Sequence, residues 1–150
     1  MSSNYGFQPV QAEDFEAMLA LRMDALRVSL ERLGRFDLQR GRERFQAAFA
    51  PEFMQHICCG AERIGFVTLR PDGVTLKLEQ LYVKPEQQGR RVGAWVISWV
   101  KDRARAVGQD VTLSALKLSD ANRFYLRHGF KQVSESEFDI DYRWTCEVRK

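Results

Sequence analysis

The spacing of apolar and polar residues predicts a chain that combines helices with strands. Residues 5–10 (YGFQPV) predict a short first strand, and from Ala12 onward the apolar positions recur with the helical period. A second helix is expected to end before Pro51, because the residue that precedes a proline disfavours helical backbone. The apolar residues that indicate these two helices are Phe15, Met18, Leu19, Leu21, Ala25 and Leu26, followed by Leu38, Phe45 and Phe49.

The middle of the chain predicts a three-stranded β-meander over residues 54–60, 62–73 and 74–85. The third of these strands has an irregular periodicity. Its apolar residues are Val74, Leu76 and Leu78 at even positions and Leu81 and Val83 at odd positions. A β-bulge near residues 79–80 would keep them all on the core and leave backbone groups unpaired there; the alternative is a central strand that is buried on both faces.

A glycine-bearing loop joins this strand to a strongly apolar helix. Its sequence, QQGRRVGAW (87–95), contains Gly89 and Gly93, which lack a Cβ atom, and the cations Arg90 and Arg91. The first turn of a helix presents unpaired N–H groups and a partial positive charge, which suit phosphate, and arginine adds charge-assisted hydrogen bonds. The order strand, loop, helix therefore predicts a pyrophosphate site, although neither GxxxxGK[ST] nor GxGxxG is present.

The composition is that of an ordinary globular domain. The 150 residues suit one domain over 1–150, and the net charge of +3 is lower than expected for a dedicated nucleic-acid binder. No apolar stretch approaches the about 18 residues of a membrane span, and no signal peptide is expected. Cys58, Cys59 and Cys146 fit reduced thiols in the cytoplasm. With only 2 histidines and no CxxC spacing, no metal site is expected.

The segment LEQLYVKPEQQGRRVGAW (78–95) resembles motif A of the GNAT superfamily, the acyl-CoA-dependent N-acetyltransferases. The core of that motif reads [QR]-x-x-G-x-[GA], and Arg91 replaces its central glycine. A second segment, ANRFYLRHGF (121–130), is similar to the family pattern N-x-x-A-x-x-F-Y-x-x-x-G-F, with Leu118 at the position of the asparagine. The predicted order of elements also matches, and the resemblance is firm over residues 74–130.

The resemblance implies an α/β (α+β) fold of the GNAT type, with a mixed, mostly antiparallel central sheet of about 6–7 strands flanked by about 4 helices. It also implies acetyl-CoA as co-substrate, with its pantetheine arm paired to the third strand of the meander and its thioester carbonyl polarised by the backbone N–H of Leu81. The residues implied in cofactor binding are Leu81, Tyr82, Val83, Gln88, Gly89, Arg90, Arg91, Val92, Gly93, Ala94 and Tyr125, with Ser119 or Asn122 in place of the missing asparagine.

Two side chains are candidates for catalysis. Glu79 lies in an otherwise apolar strand and is expected to take the proton of the amine, directly or through water; the alternative is a carboxylate paired with a nearby arginine. Tyr125 is expected to protonate the departing thiolate, because the pKa of a tyrosine, about 10, lies near that of a thiol, about 8.5. The alternative is a tyrosine that only packs against the cofactor. His56 and His128 are predicted to be structural.

The acceptor is predicted to be a primary amine of unknown identity. Residues 27–49 are expected to form much of its site by analogy with the fold. The arginines of residues 30–49 are expected to form either an ion-paired helix surface or a rim over an anionic ligand. Three hypotheses remain: an enzyme for a small amine or amino-acid derivative, an enzyme for a peptide or protein amine, and an acyl-CoA sensor without turnover. Two closing strands are expected in residues 131–148, and their edge leaves a homodimer open.

Overall fold

The structure is a computed structural model that describes residues 4–147. In this range the order of elements is the expected one, and residue 148, the expected end of the closing strands, lies outside it. The helices are α1 (Phe15–Arg32), α2 (Leu38–Ala48), α3 (Val92–Val107) and α4 (Ala121–Arg127). The strands are β1 (Tyr5–Pro9), β2 (Met54–Cys59), β3 (Glu62–Asp72), β4 (Thr75–Val83), β5 (Asp110–Leu116), β6 (Lys131–Glu135) and β7 (Asp139–Trp144).

The strands form one mixed sheet in the order β1-β2-β3-β4-β5-β7-β6. Strand β2 pairs antiparallel with β1 and β3, and β7 pairs antiparallel with β5 and β6. Strands β4 and β5 are parallel, because helix α3 returns the chain to the same end of the sheet. The predicted GNAT-type fold, with its mixed and mostly antiparallel sheet, is confirmed.

Strand β4 occupies the middle of this order, as the second interpretation of its periodicity requires. Thr75, Leu78 and Gln80 are its buried residues, at 8%, 2% and 6% exposure. The expectation that Val74 joins the core is wrong: Val74 lies in the turn before β4 and is 81% exposed. Because a turn residue is not held by the strand ladder, its side chain does not follow the alternation of the strand. The bulge near residues 79–80 stays a prediction.

The described chain divides into two compact units. The first comprises residues 4–68 and 80–93, and the second comprises residues 69–79 and 94–147. No helix in these residues is long and apolar enough to cross a membrane. That residues 1–150 act as one domain stays a prediction.

The core of the first unit is a row of aromatic rings. Phe45 of α2 stacks on Phe15 of α1 with 5.2 Å between ring centroids, and it lies 5.6 Å from Phe66 of β3. Phe66 in turn lies 5.6 Å from Tyr82 of β4. Phe45 and Phe66 are fully buried, so this row ties both helices to the end of β4.

The second unit is built on the apolar stripe of α3. Val96, Val100 and Ala104 repeat at every fourth position and are all fully buried, as the helical period predicts. Asp110, at the start of β5, accepts a hydrogen bond of 2.8 Å from Arg143 Nε. This buried carboxylate thereby fixes β5 to β7, the two strands that precede and follow α4.

Candidate active site

The loop between β4 and α3 has the backbone geometry of an anion-binding turn. Gly89 and Arg91 both have positive φ, at 81° and 65°, and the side chains of Arg90 and Arg91 are exposed. Helix α3 begins at Val92, which is buried at 2% exposure and so anchors the first turn. The N–H groups of that first turn have no intrahelical partner and are therefore available to an anion.

Two hydrogen bonds hold this loop in place within the first unit. Gln88 Nε2 donates to the carbonyl oxygen of Val83 at 3.0 Å, and the hydroxyl of Tyr5 donates to the carbonyl oxygen of Arg90 at 2.8 Å. Neither bond involves the guanidinium group of Arg90 or Arg91. Neither Arg90 nor Arg91 has an ion-pair partner among residues 4–147, so two unpaired cations flank the start of α3.

The two departures from the family pattern both fall on left-handed backbone. In the described part of the chain, Arg91 and Leu118 are the two residues other than glycine with positive φ, at 65° and 66°. Glycine adopts this conformation without a Cβ clash, and asparagine tolerates it better than other side chains do. The left-handed backbone at positions 91 and 118 therefore explains why the family pattern has glycine at the first position and asparagine at the second.

Replacing Arg91 tests this conformation directly. Arg91→Val should lower the free energy of unfolding by about 1–2 kcal/mol, because a β-branched residue is strained in left-handed backbone. Arg91→Gly should leave it unchanged or raise it by up to about 1 kcal/mol, since relief of strain offsets the greater entropy of the unfolded chain. Urea unfolding without CoA measures both. Equal stability of Arg91→Val and the unsubstituted chain would contradict the left-handed backbone.

The parallel ladder between β4 and β5 is short. Among the described residues it joins residues 75–77 to residues 110–112. Both of these segments belong to the second unit. Strand β5 continues to Leu116 and pairs with β7 from Val111 to Leu116.

Glu79 is bound to an arginine in the second unit. Arg70 Nε lies 3.1 Å from Glu79 Oε2, and Arg70 Nη2 lies 3.0 Å from Glu79 Oε1. The two side chains are 28% and 22% exposed, so the pair is partly shielded from solvent. This is the arginine partner that the structural alternative for Glu79 requires. A carboxylate has about four lone-pair sites, and the bidentate pair uses two, so the remaining ones can still accept a proton or bind water.

Tyr125 lies on the inner face of α4 and is 7% exposed. Its ring contacts those of Phe130 and Tyr142, with centroid distances of 5.5 Å and 6.3 Å. Burial raises the pKa of the neighbouring Tyr142. The helix that carries Tyr125 ends at Arg127, and Gly129 follows with a positive φ of 87°, which favours glycine.

Ser119 and Asn122 are engaged in the loop between β5 and α4. Ser119 Oγ and Asn122 Nδ2 each donate to the carbonyl oxygen of Leu116 at 2.8 Å. Asn122 Oδ1 accepts from the hydroxyl of Tyr142 at 2.8 Å. These bonds hold the loop in which Leu118 is left-handed; that either side chain contacts the cofactor stays a prediction.

The structure thus distributes the predicted site residues between the two units. The binding loop and residues 81–83 belong to the first unit, and Glu79, Ala94, Ser119, Asn122 and Tyr125 belong to the second. Cys58 is buried, and burial raises the pKa of its thiol, which fits a core residue and not a nucleophile.

A polar cluster around the buried His56 in the first unit was not predicted from the sequence. His56, predicted to be structural, lies 2.9 Å from Asp14 through its Nε2, and Nη1 of the exposed Arg63 lies 3.2 Å from the same carboxylate. The hydrogen bond with His56 holds the pKa of Asp14 at about 2, below the ordinary 3.8. The ionised carboxylate only accepts, so His56 Nε2 carries the hydrogen. His56 and Arg63 also line a cavity of about 330 Å³ beneath α1.

Removing this carboxylate should destabilise the fold in a pH-dependent way. Asp14→Ala should lower the free energy of unfolding at pH 7 by about 2 kcal/mol, because His56 and Arg63 lose a charge-assisted partner. The pKa of Asp14 is depressed in the folded state, so its contribution is full above the unfolded value near 3.8 and is lost as the pH falls through about 2. Urea titrations between pH 7 and pH 2 measure the difference, and a difference that grows on acidification would contradict this pairing.

The comparison with protein families identifies the chain. The model of the acetyltransferase (GNAT) domain matches residues 54–132, which is more than half of the 150 residues. The chain belongs to the GNAT acetyltransferase family, and the resemblance found in its motifs is confirmed.

Individual relatives agree with this assignment. The aminoalkylphosphonate N-acetyltransferase of Salmonella typhimurium is 40% identical over 58 residues, a match that spans only 37% of this chain and 38% of that protein. The PaiA N-acetyltransferase of Thermoplasma acidophilum, solved in complex with coenzyme A, has a TM-score of 0.77 at 16% identity, covering 97% of this chain and 99% of that chain. A GCN5-related N-acetyltransferase of Rhodopseudomonas palustris has a TM-score of 0.76 at 18% identity, covering 97% and 98%. At such identities the two structures show the fold alone.

Proposed function

We propose that the chain transfers the acetyl group of acetyl-CoA to a primary amine by direct attack in a ternary complex. The observation that carries this proposal is the loop after β4. Its positive φ angles, its exposed Arg90 and Arg91 without ion pairs, and the anchored start of α3 support an anion site in the segment that resembles motif A of the family.

In this proposal, backbone N–H groups and arginine side chains bind acetyl-CoA. The loop at 88–93 and the first turn of α3 through Ala94 hold the pyrophosphate, and residues 81–83 pair with pantetheine as an added strand. The N–H of Leu81 donates to the thioester carbonyl as it gains charge. When bound, acetyl-CoA supplies the activated acetyl group.

Two side chains handle the protons in this proposal. Glu79 accepts the proton of the attacking amine, through water if Arg70 keeps both carboxylate oxygens engaged. Tyr125 donates a proton to the departing thiolate. The buried ring contacts of Tyr125 support a fixed orientation for such a donor.

The acceptor is proposed to be a small amine or amino-acid derivative. The Salmonella relative is named for the acetylation of aminoalkylphosphonates, which supports a small amine over a peptide. A cytoplasmic location and a homodimer remain proposals from the sequence, and no nucleic-acid or membrane partner is proposed.

A screen of amines tests the function. The chain is incubated with acetyl-CoA and each of a panel of alkylamines, amino acids, aminoalkylphosphonates and short peptides, and released thiol is measured. We expect release that depends on a small amine. Release only with peptides would favour the protein acceptor, and tight binding of acetyl-CoA without release from any amine would favour the sensor.

A further inference from the structure

Arg22 of α1 has an unusual environment inside the first unit. Its guanidinium carbon lies 6.0 Å from the ring centroid of Phe45 and 5.8 Å from that of Tyr82. Its Nε atom is fully buried without a hydrogen-bond partner, and its Nη1 reaches only the sulfur of Met23, at 3.6 Å. A buried N–H of a charged group that lacks a partner is costly, so the protein maintains a cation here at the expense of stability.

Two other arginines of α1 and α2 are paired with carboxylates. Arg27 pairs with Glu31 at 3.2 Å, and Arg42 pairs with Glu16 at 2.7 Å in a bidentate contact. Arg42, which lies in residues 30–49, fits the interpretation of an ion-paired helix surface. Arg22 lies before that segment and has no carboxylate partner among residues 4–147, so its charge is available to an anionic ligand.

The position of Arg22 connects this cation to the reaction. The ring of Tyr82 that it contacts belongs to β4, and Tyr82 directly follows Leu81, whose N–H is assigned to the thioester carbonyl. The rings of Phe45 and Tyr82 fix the guanidinium and exclude water on their side, while the side chain as a whole is half-buried and stays accessible.

We infer that Arg22 binds an oxyanion of the acceptor, so that the substrate is an amine that also carries a carboxylate or a phosphonate. This inference rests on the proposed acetyl transfer. The planar fork of arginine matches both groups with two parallel hydrogen bonds, and the apolar walls around it strengthen the charge-assisted contact. Carboxylate and phosphonate share this chemistry, and the experiment separates them.

The test compares amines that differ only in their second group. Wild type, Arg22→Met and Arg22→Lys are assayed with 2-aminoethylphosphonate, β-alanine and propylamine, and with the homologues of each that have one more carbon. Methionine keeps the length of the side chain and removes the charge, whereas lysine keeps the charge and loses the fork. Arg103→Met, an exposed arginine of α3, is the matched control.

We expect Arg22→Met to lower kcat/KM about 10–100-fold, through KM, for the amines that carry a phosphonate or carboxylate, and to leave kcat/KM unchanged for the alkylamines, which lack an anionic group. Arg22→Lys should recover part of the loss. The group that suffers the greater loss, phosphonate or carboxylate, identifies the natural anion. An equal loss of kcat/KM for all amines would indicate a structural role for Arg22 and overturn the inference. A rise confined to the KM of acetyl-CoA would also overturn it, because Arg22 would then bind a phosphate of the cofactor.

A binding measurement distinguishes failure of this inference from failure of the proposed acetyl transfer. Calorimetric titration of the CoA-loaded protein with 2-aminoethylphosphonate and β-alanine needs no turnover. If no amine is acetylated but an anionic amine binds to wild type and not to Arg22→Met, acetyl transfer fails and the anion site stands. If wild type neither binds nor acetylates any anionic amine, the inference is wrong.

Discussion

Replacing Gly93 with aspartate should abolish the binding of CoA. Gly93 is the second residue of α3, and the unpaired N–H groups of this first turn are proposed to bind the pyrophosphate. A carboxylate at this position places a negative charge against the pyrophosphate and a side chain in its path. Aspartate in the first turn of a helix interacts favourably with the helix dipole, so the fold itself should not suffer. Calorimetry with CoA measures the loss, and circular dichroism verifies the fold.

Matched variants separate charge from bulk at the same loop. Gly93→Asn has nearly the shape of Gly93→Asp without the charge and should retain weak binding. Arg90→Ala leaves the backbone intact and should weaken CoA binding by about 1–3 kcal/mol, the range of a charge-assisted hydrogen bond. Unchanged affinity in Gly93→Asp would place CoA elsewhere on the chain.

Removing the hydroxyl of Tyr125 should slow the reaction without weakening the binding of acetyl-CoA. Tyr125→Phe keeps the ring contacts, and a proton donated to the leaving thiolate acts mainly in the transition state. A thiolate is already a fair leaving group, so we expect kcat to fall by about 10–100-fold, the low end of general acid catalysis, with KM for acetyl-CoA unchanged. Full kcat at every pH would leave Tyr125 as a packing residue and water as the donor.

A pH series distinguishes the acid from the base. The deficit of Glu79→Gln should shrink as the pH rises, because more of the amine is already deprotonated, whereas the deficit of Tyr125→Phe should not. Arg70→Met is the control for the ion pair. If Glu79 serves only that pair, Arg70→Met will reproduce the loss of Glu79→Gln, without the recovery at high pH.

Much of the fold could be predicted from the sequence because its elements are strongly patterned. The stripe Val96, Val100 and Ala104 of α3 has one periodicity and one buried face, so the helix follows from it. The position of Val74 could not be predicted, because periodicity does not locate the end of a strand. Val74 lies in a turn one residue before β4, and its side chain is exposed.

The parts of the site formed by residues close together in the sequence could be predicted. The parts that depend on contacts between residues far apart in the sequence could not. The strand, loop and helix around Gly89 are contiguous, and a phosphate site can be predicted from them. The pairing of His56 with Asp14 joins residues 42 positions apart, and Arg22 acquires its surroundings from α2 and β4. No spacing of residues in the sequence predicts either of these tertiary contacts. The left-handed backbone of Leu118 was signalled only by the asparagine of the family pattern.

Acetyl-CoA labelled with ¹³C in its acetyl carbonyl tests the transfer itself. The chain is incubated with the labelled compound and the amine that releases most thiol, and the carbonyl is followed by NMR spectroscopy. The proposed function predicts that the label moves from the thioester to an amide of the amine, at the rate of thiol release. A label that stays on CoA, appears as free acetate or is found on the protein would contradict direct transfer to an amine.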